Sequence, residues 1–142
     1  MNSSPAARNA SASEAAATRP RVVVIDDNRD LLRFLERLMA QSGWKLLTAE
    51  TAEAGRDLVK SEKPHVALLD YVLPDENGVA LGVKLREMMP GLPVIIMSGA
   101  ELPGADQVTC EERDFQILQK PFLANEIMNQ IRSRLSPDSA GA

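Results

Sequence analysis

Between residues 21 and 135 the chain alternates short apolar runs with longer stretches whose apolar residues recur at helical spacing. Val22-Val23-Val24-Ile25 is apolar at every position and β-branched, as suits a central parallel strand covered on both faces. Asp30 to Gln41 places Leu31, Leu35, Leu38 and Met39 on one helical face, and Gly43 ends it. Trp44 to Ala49 reads as a second strand. Thr51 can cap a helix running to about Glu62 and closed before Pro64. Val66-Ala67-Leu68-Leu69 is a third strand, and Asn77 can cap a helix to about Met89, closed by Pro90-Gly91. Val94 to Met97 and Phe115 to Leu118 are the fourth and fifth strands, and Leu123 to Leu135 is the last helix. The stretch from Gly99 to Asp114 holds Pro103, Gly104 and few apolar residues, so only a short or irregular helix is expected, over Gly104 to Cys110. Five strands alternating with helices predict a parallel sheet covered by helices on both faces.

Residues 1–20 are dominated by Ala and Ser, and 136–142 read the same way; both are expected as flexible tails around a domain at 21–135. There is no internal repeat. No apolar run reaches the roughly 18 residues of a membrane-spanning helix. No apolar segment follows a basic start, so a signal peptide is not expected and the cytoplasm is the default location.

Composition narrows the chemistry. The 142 residues carry a formal charge of −4, which argues against a general nucleic-acid binder. A single Cys, Cys110, allows no intramolecular disulfide and no thiolate cluster. A single His, His65, leaves almost no parts for a histidine metal site or a Ser–His–Asp triad. Aromatic residues are only 4%, so the core must be aliphatic.

The polar residues that follow the strands carry the functional signal. Strand one runs into Asp26-Asp27, strand three into Asp70, strand four into Ser98, and strand five through Gln119 into Lys120. In an open parallel sheet all these carboxyl ends lie along one edge, where ligands bind. One acid after a strand commonly just caps the next helix. Three carboxylates, a hydroxyl and an ammonium at four strand ends are harder to explain that way. Neighbouring carboxylates repel unless a cation neutralises them, and a few oxygen ligands suit Mg²⁺. Relief of that repulsion predicts that removing Asp26 and Asp27 together stabilises the metal-free protein. A carboxylate can accept a phosphoryl group, and phosphoryl transfer relies on positioning and charge neutralisation rather than on a histidine base.

These residues resemble the receiver domain of two-component response regulators, over about Val22 to Leu135. The motifs that carry the resemblance are Asp26-Asp27, Asp70 within Leu68-Leu69-Asp70-Tyr71-Val72-Leu73-Pro74, Gly78, Ser98, and Lys120-Pro121-Phe122. The resemblance implies a chemotaxis-regulator-like, flavodoxin-like (βα)₅ fold with strand order 2-1-3-4-5. It implies that Asp70 accepts the phosphoryl group, Asp27 binds Mg²⁺ directly, Asp26 binds it largely through water, and the backbone carbonyl of Val72 is a further ligand. Ser98 would bind and report the phosphoryl group, Lys120 would pair with it, and the Lys120–Pro121 bond would be cis. The phosphoryl donor would be a histidine kinase or histidine phosphotransfer protein. The output is expected to be a contact with a downstream protein, without direct DNA binding or membrane attachment, by a monomer or a phosphorylation-dependent dimer. Such a chain is a stand-alone switch and not an enzyme. Two other readings are an aspartyl-nucleophile phosphatase, disfavoured because Val72 stands where those proteins carry a second acid, and a phosphorylation-independent binding module of the same fold.

The remaining residues suggest packing. His65 lies five residues before Asp70, about 16 Å along the strand, and is expected at the surface on the opposite edge. Cys110 is expected to be inert and Trp44 to pack against a helix. Pro74 is expected to shape the loop after Asp70. Met88, Met89, Met97 and Met128 are expected in the core. In many receivers an aromatic ring three residues before the lysine swings inward on activation; here that residue is Ile117. Phe115, two residues earlier, is a poor substitute, so the segment 99–114 is expected to carry the signal.

Overall fold

The computed structural model describes residues 19–135. The expected terminal tails lie outside these residues except for Arg19 and Pro20, and Pro20 already pairs with the domain, its carbonyl accepting from Lys45 N–H at 2.8 Å. Five strands, β1 (Arg21–Ile25), β2 (Lys45–Ala49), β3 (Val66–Asp70), β4 (Val94–Ser98) and β5 (Gln116–Gln119), alternate with five helices. The helices are α1 (Arg29–Ala40), α2 (Ala52–Glu62), α3 (Gly78–Met88), α4 (Gly104–Arg113) and α5 (Ala124–Leu135). The sheet is parallel throughout in the order β2-β1-β3-β4-β5. This is the flavodoxin-like arrangement expected from the sequence.

Alternate strand residues feed two cores. Val23, Ile25, Ala67, Leu69, Val94 and Ile96 face α2, α3 and α4. Val22, Val24, Val66, Leu68, Ile95 and Met97 face α1 and α5. β1, β3 and β4 have no exposed face, which is why their sequences show no polar alternation. Close contact across the layers needs a missing side chain at Gly82, where a Cβ would come within 2.9 Å of the Phe115 ring. The first three helix starts are capped: Asn28 Oδ1 accepts from the N–H groups of Asp30 and Leu31, Thr51 Oγ1 from Ala54, and Asn77 Oδ1 from Ala80.

The structure departs from the sequence reading in a few places. α4 is a regular helix three residues longer than expected, because Asp114, in the left-handed conformation at φ 58°, stops it only after the exposed Glu111-Glu112-Arg113 turn. Phe115 precedes β5, turning its ring into the α2–α4 core beneath Arg86, whose guanidinium lies 5.0 Å from the ring centroid. On α1 the buried face is Leu32, Leu35 and Met39; Leu31 and Leu38 lie at its margin. Met88 is exposed, unlike the buried Met97 and Met128, because it falls on the outer face of the last turn of α3. As expected, Trp44 packs beside a helix, α5, with Arg132 over its ring. His65 is likewise exposed at the amino-terminal edge, as expected, and accepts from Arg21 N–H through Nδ1.

Candidate functional site

The strand registers bring the polar ends together. Ile25 pairs with Leu69, Asp70 with Met97, and Ser98 with Gln119, so Asp26, Asp70, Ser98 and Lys120 all fall on the carboxyl edge. Asp26 N–H donates to Ala49 O at 3.0 Å, which continues the sheet pattern one residue past β1 and pins this acid in place. Its side chain is fully buried; Oδ1 accepts from Asn28 N–H at 2.9 Å, and Oδ2 lies 2.8 Å from Lys120 Nζ. Asp27 points into the open. Asp70, 8% exposed, receives Lys120 Nζ at 3.4 Å and Val72 N–H at 3.4 Å, both on Oδ1. Asp26, Asp27 and Asp70 each offer a carboxylate oxygen, and these oxygens lie within 4.8 Å of one another.

Lys120 reaches the cluster from a cis Lys120–Pro121 bond, with its N–H donating to Ser98 O at 2.7 Å. The ammonium therefore bridges Asp26 and Asp70 as a resident counter-charge. Asp70 is nonetheless held above the ordinary carboxylate range, chiefly by burial and then by the charge of Asp26, with Lys120 opposing the rise. Asp26 is also hydrogen-bonded and ion-paired, so removing it with Asp27 would strip Lys120 of its nearest partner as well as relieve the repulsion on Asp70. The donor set is all oxygen, partly open to solvent through Asp27, which fits a partly hydrated Mg²⁺. Ser98 Oγ donates to Ala100 O at 2.5 Å and accepts from Ala100 N–H at 3.2 Å, so the hydroxyl is engaged within its own loop.

The loop after Asp70 is held tightly. Gly78 N–H donates to Tyr71 O at 2.8 Å, and Val72 bridges Asn77. A Cβ on Gly78 would lie 2.3 Å from Asp70 O, so only glycine lets α3 start this close to the end of β3. Val72 is 70% exposed at the rim.

Several contributors escaped the sequence reading. Asn28 both caps α1 and supports Asp26; its place two residues before Asp30 was a usable capping signal. Asp75 accepts from the N–H groups of Ala52 and Glu53 at 2.8 and 3.0 Å, tying the loop after Asp70 to α2, and these bonds hold its carboxyl below the usual range. Tyr71 donates to Asp106 on α4, which pushes its phenol up. The last two join segments far apart in the chain, and no local pattern announces them. A groove of about 1190 Å³ lies at the opposite edge among Arg56, Lys60, Lys63, His65, Met89 and Leu92, away from the carboxylates. No helix among the described residues is long and apolar enough to cross a membrane.

A doubly wound sheet that gathers an acidic cluster, a hydroxyl and an ammonium at its carboxyl edge defines a receiver-type α/β domain. The chain belongs to the response regulator receiver domain family, whose model matches residues 22–132. It is 24% identical over 115 residues to the response regulator receiver protein CpdR of Brucella abortus, spanning 81% of this chain and 96% of that one. It is 33% identical over 119 residues to the transcriptional regulatory protein PrrA of Mycobacterium tuberculosis, spanning 83% of this chain but 51% of the relative. In fold it is similar to a CheY-like receiver domain protein from Methanospirillum hungatei, with a TM-score of 0.80, 22% identity and coverage of 88% of this chain and 100% of that chain. The beryllofluoride-activated NtrC4 receiver domain gives a TM-score of 0.75 at 24% identity, covering 82% and 97% of the two chains.

Proposed function

We propose that this chain is a phosphoacceptor switch in which Asp70 takes a phosphoryl group from the phosphohistidine of a kinase or phosphotransfer protein. The observation that carries the reading is Lys120, whose ammonium sits between the buried Asp26 and Asp70 at 2.8 and 3.4 Å. An Asp70 oxygen bonds to phosphorus as the donor's nitrogen–phosphorus bond breaks, leaving an acyl phosphate on Asp70. Asp26, Asp27, Asp70 and the Val72 carbonyl would hold Mg²⁺, which supplies charge neutralisation for the carboxylates and the incoming phosphoryl oxygens. Lys120 then moves its charge from the Asp70 carboxylate to the phosphoryl oxygens. Ser98 turns from Ala100 to donate to one of them. Burial of Asp70 beneath the loop limits access of water to the acyl phosphate.

On this reading the chain is a cytoplasmic signalling switch rather than an enzyme with turnover, and its output is a contact with another protein. His65 lies at the far edge of the sheet and is not a donor in cis. The experiment is incubation with acetyl phosphate and Mg²⁺, read by intact mass. The parent should gain one phosphoryl group, and Asp70→Asn should gain none while remaining folded. Full labelling of Asp70→Asn would refute the assignment.

A further inference from the structure

Tyr71 immediately follows Asp70, and its hydroxyl donates to the Asp106 carboxylate in the first turn of α4. Its backbone is fixed on both sides, the N–H on Met97 O and the carbonyl on Gly78 N–H, each at 2.8 Å. Its ring packs against the α2–α4 core. The hydroxyl is therefore a stiff extension of the acceptor strand. Elsewhere the helix is held by the buried Leu102 just before it and by Arg86, whose Nη1 donates to Arg113 O at 3.0 Å in its last turn, so Tyr71 is the side chain that holds its first turn to β3. Cys110 is the one buried residue of α4, and Pro103 at its start supplies no side-chain cap. Gly99, Ala100 and Glu101, which lead into it, are exposed.

The Ser98 hydroxyl is engaged with the backbone of Ala100 in this same lead-in. Turning it toward a phosphoryl group on Asp70 releases Ala100 and shifts the segment that carries the first turn of α4. Ile117, 43% exposed, has neither a ring nor a hydroxyl to register that shift. A hydroxyl–carboxylate bond has a range of a few tenths of an ångström, so a movement of about 1 Å breaks it.

We propose that the Tyr71–Asp106 bond is the tie that holds α4 in its resting position, and that the switch works against it, making Tyr71 a positioning residue that sets how readily the domain activates. This rests on the phosphoacceptor reading of Asp70. Because the tie exists in the resting state and is lost in the active one, removing it lowers only the resting state's stability. By linkage the active state, and any ligand that selects it, is then favoured.

The test compares the full chain with Tyr71→Phe, Asp106→Ala and the double variant. Each is titrated with beryllofluoride in excess Mg²⁺, with affinity read by fluorine NMR and the helix followed by hydrogen exchange. Tyr71→Phe keeps the ring and its packing. Each single variant should bind beryllofluoride about three- to tenfold more tightly, the net size of one ordinary hydrogen bond with partly exposed partners. Exchange over residues 104–113 should speed up in the resting form only, and the double variant should match the singles. A contact that only supports the fold would weaken both states alike and leave the affinity where it was. Unchanged or weaker binding, or additive effects in the double variant, would overturn the proposal. Absence of beryllofluoride binding by the parent would sink the phosphoacceptor reading and the tie with it, whereas parent binding with unaltered variants sinks the tie alone.

Discussion

Replacing Lys120 with Met tests whether the ammonium is a structural counter-charge in the resting protein. Nζ lies 2.8 Å from the fully buried Asp26 and 3.4 Å from Asp70. At an effective dielectric of about 20 these separations correspond to gross attractions of about 6 and 5 kcal/mol. Most of that offsets the desolvation of the carboxylates, so the net cost must come from what is left behind. Removing one partner of a buried pair costs about 3–5 kcal/mol. The Lys120 side chain is 25% exposed, so water can partly replace it, and the expected loss is about 2–4 kcal/mol. For a domain of this size each kcal/mol moves Tm by about 3–5 °C, which predicts a fall of about 10 °C.

The pH dependence has a definite sign. Lys120 opposes the upward shift of Asp70, so its removal pushes that carboxyl further up. A folded-state pKa above the unfolded one means that the folded protein binds more protons, so stability rises as pH falls through the raised range. The deficit of Lys120→Met should be largest at neutral pH and shrink on mild acidification. Mg²⁺ should restore part of it, and Asp26→Asn combined with Lys120→Met should recover at least half, since the buried charge is gone. Thermal melts of the parent, the single and the double variant at neutral and mildly acidic pH, with and without Mg²⁺, give the answer. A Lys120→Met variant melting within about 2 °C of the parent, or a double variant no better than the single, would refute the reasoning.

Asp70→Asn should stabilise the metal-free protein at neutral pH, because it removes a carboxylate held in an unfavourable environment; its advantage should shrink as the parent's Asp70 protonates, as urea midpoints across that range would show. Gly78→Ala must move a Cβ from 2.3 Å off the Asp70 carbonyl, at an overpacking cost of about 1–3 kcal/mol, and it should slow labelling by acetyl phosphate although no site side chain is altered. Val72 and Ala100 are both exposed and neither side chain can hydrogen-bond an attacking water. Val72→Asn with Ala100→Glu should therefore shorten the lifetime of the phosphorylated form, followed by intact mass after removal of acetyl phosphate; an equal or longer lifetime would count against that role.

The sequence by itself determined the alternation of strands and helices, the parallel sheet and the polar residues at its carboxyl edge. These are readable because each depends on residues adjacent in the chain. An all-apolar run such as Val22 to Ile25 has nowhere to go but a doubly covered strand, and the residue after it must emerge at the ligand edge. The sequence also placed His65 at the far edge, since strand length fixes distance. The tertiary structure decided what non-local packing controls. The outward turn of Met88 and the inward turn of Phe115 depend on which surface the neighbouring helix covers, and both residues look alike in an apolar pattern. The length of α4 depended on Asp114 taking a left-handed conformation, to which local periodicity is blind. The site itself divided in the same way. Its five side chains were legible one strand end at a time, but the pairing of Lys120 with a fully buried Asp26, 94 residues away, arose only when β1 and β5 reached the same edge. That contact turns a set of mutually repelling acids into a partly neutralised cluster, and the links from Tyr71 to α4 and from Asp75 to α2 fasten it to the rest of the fold.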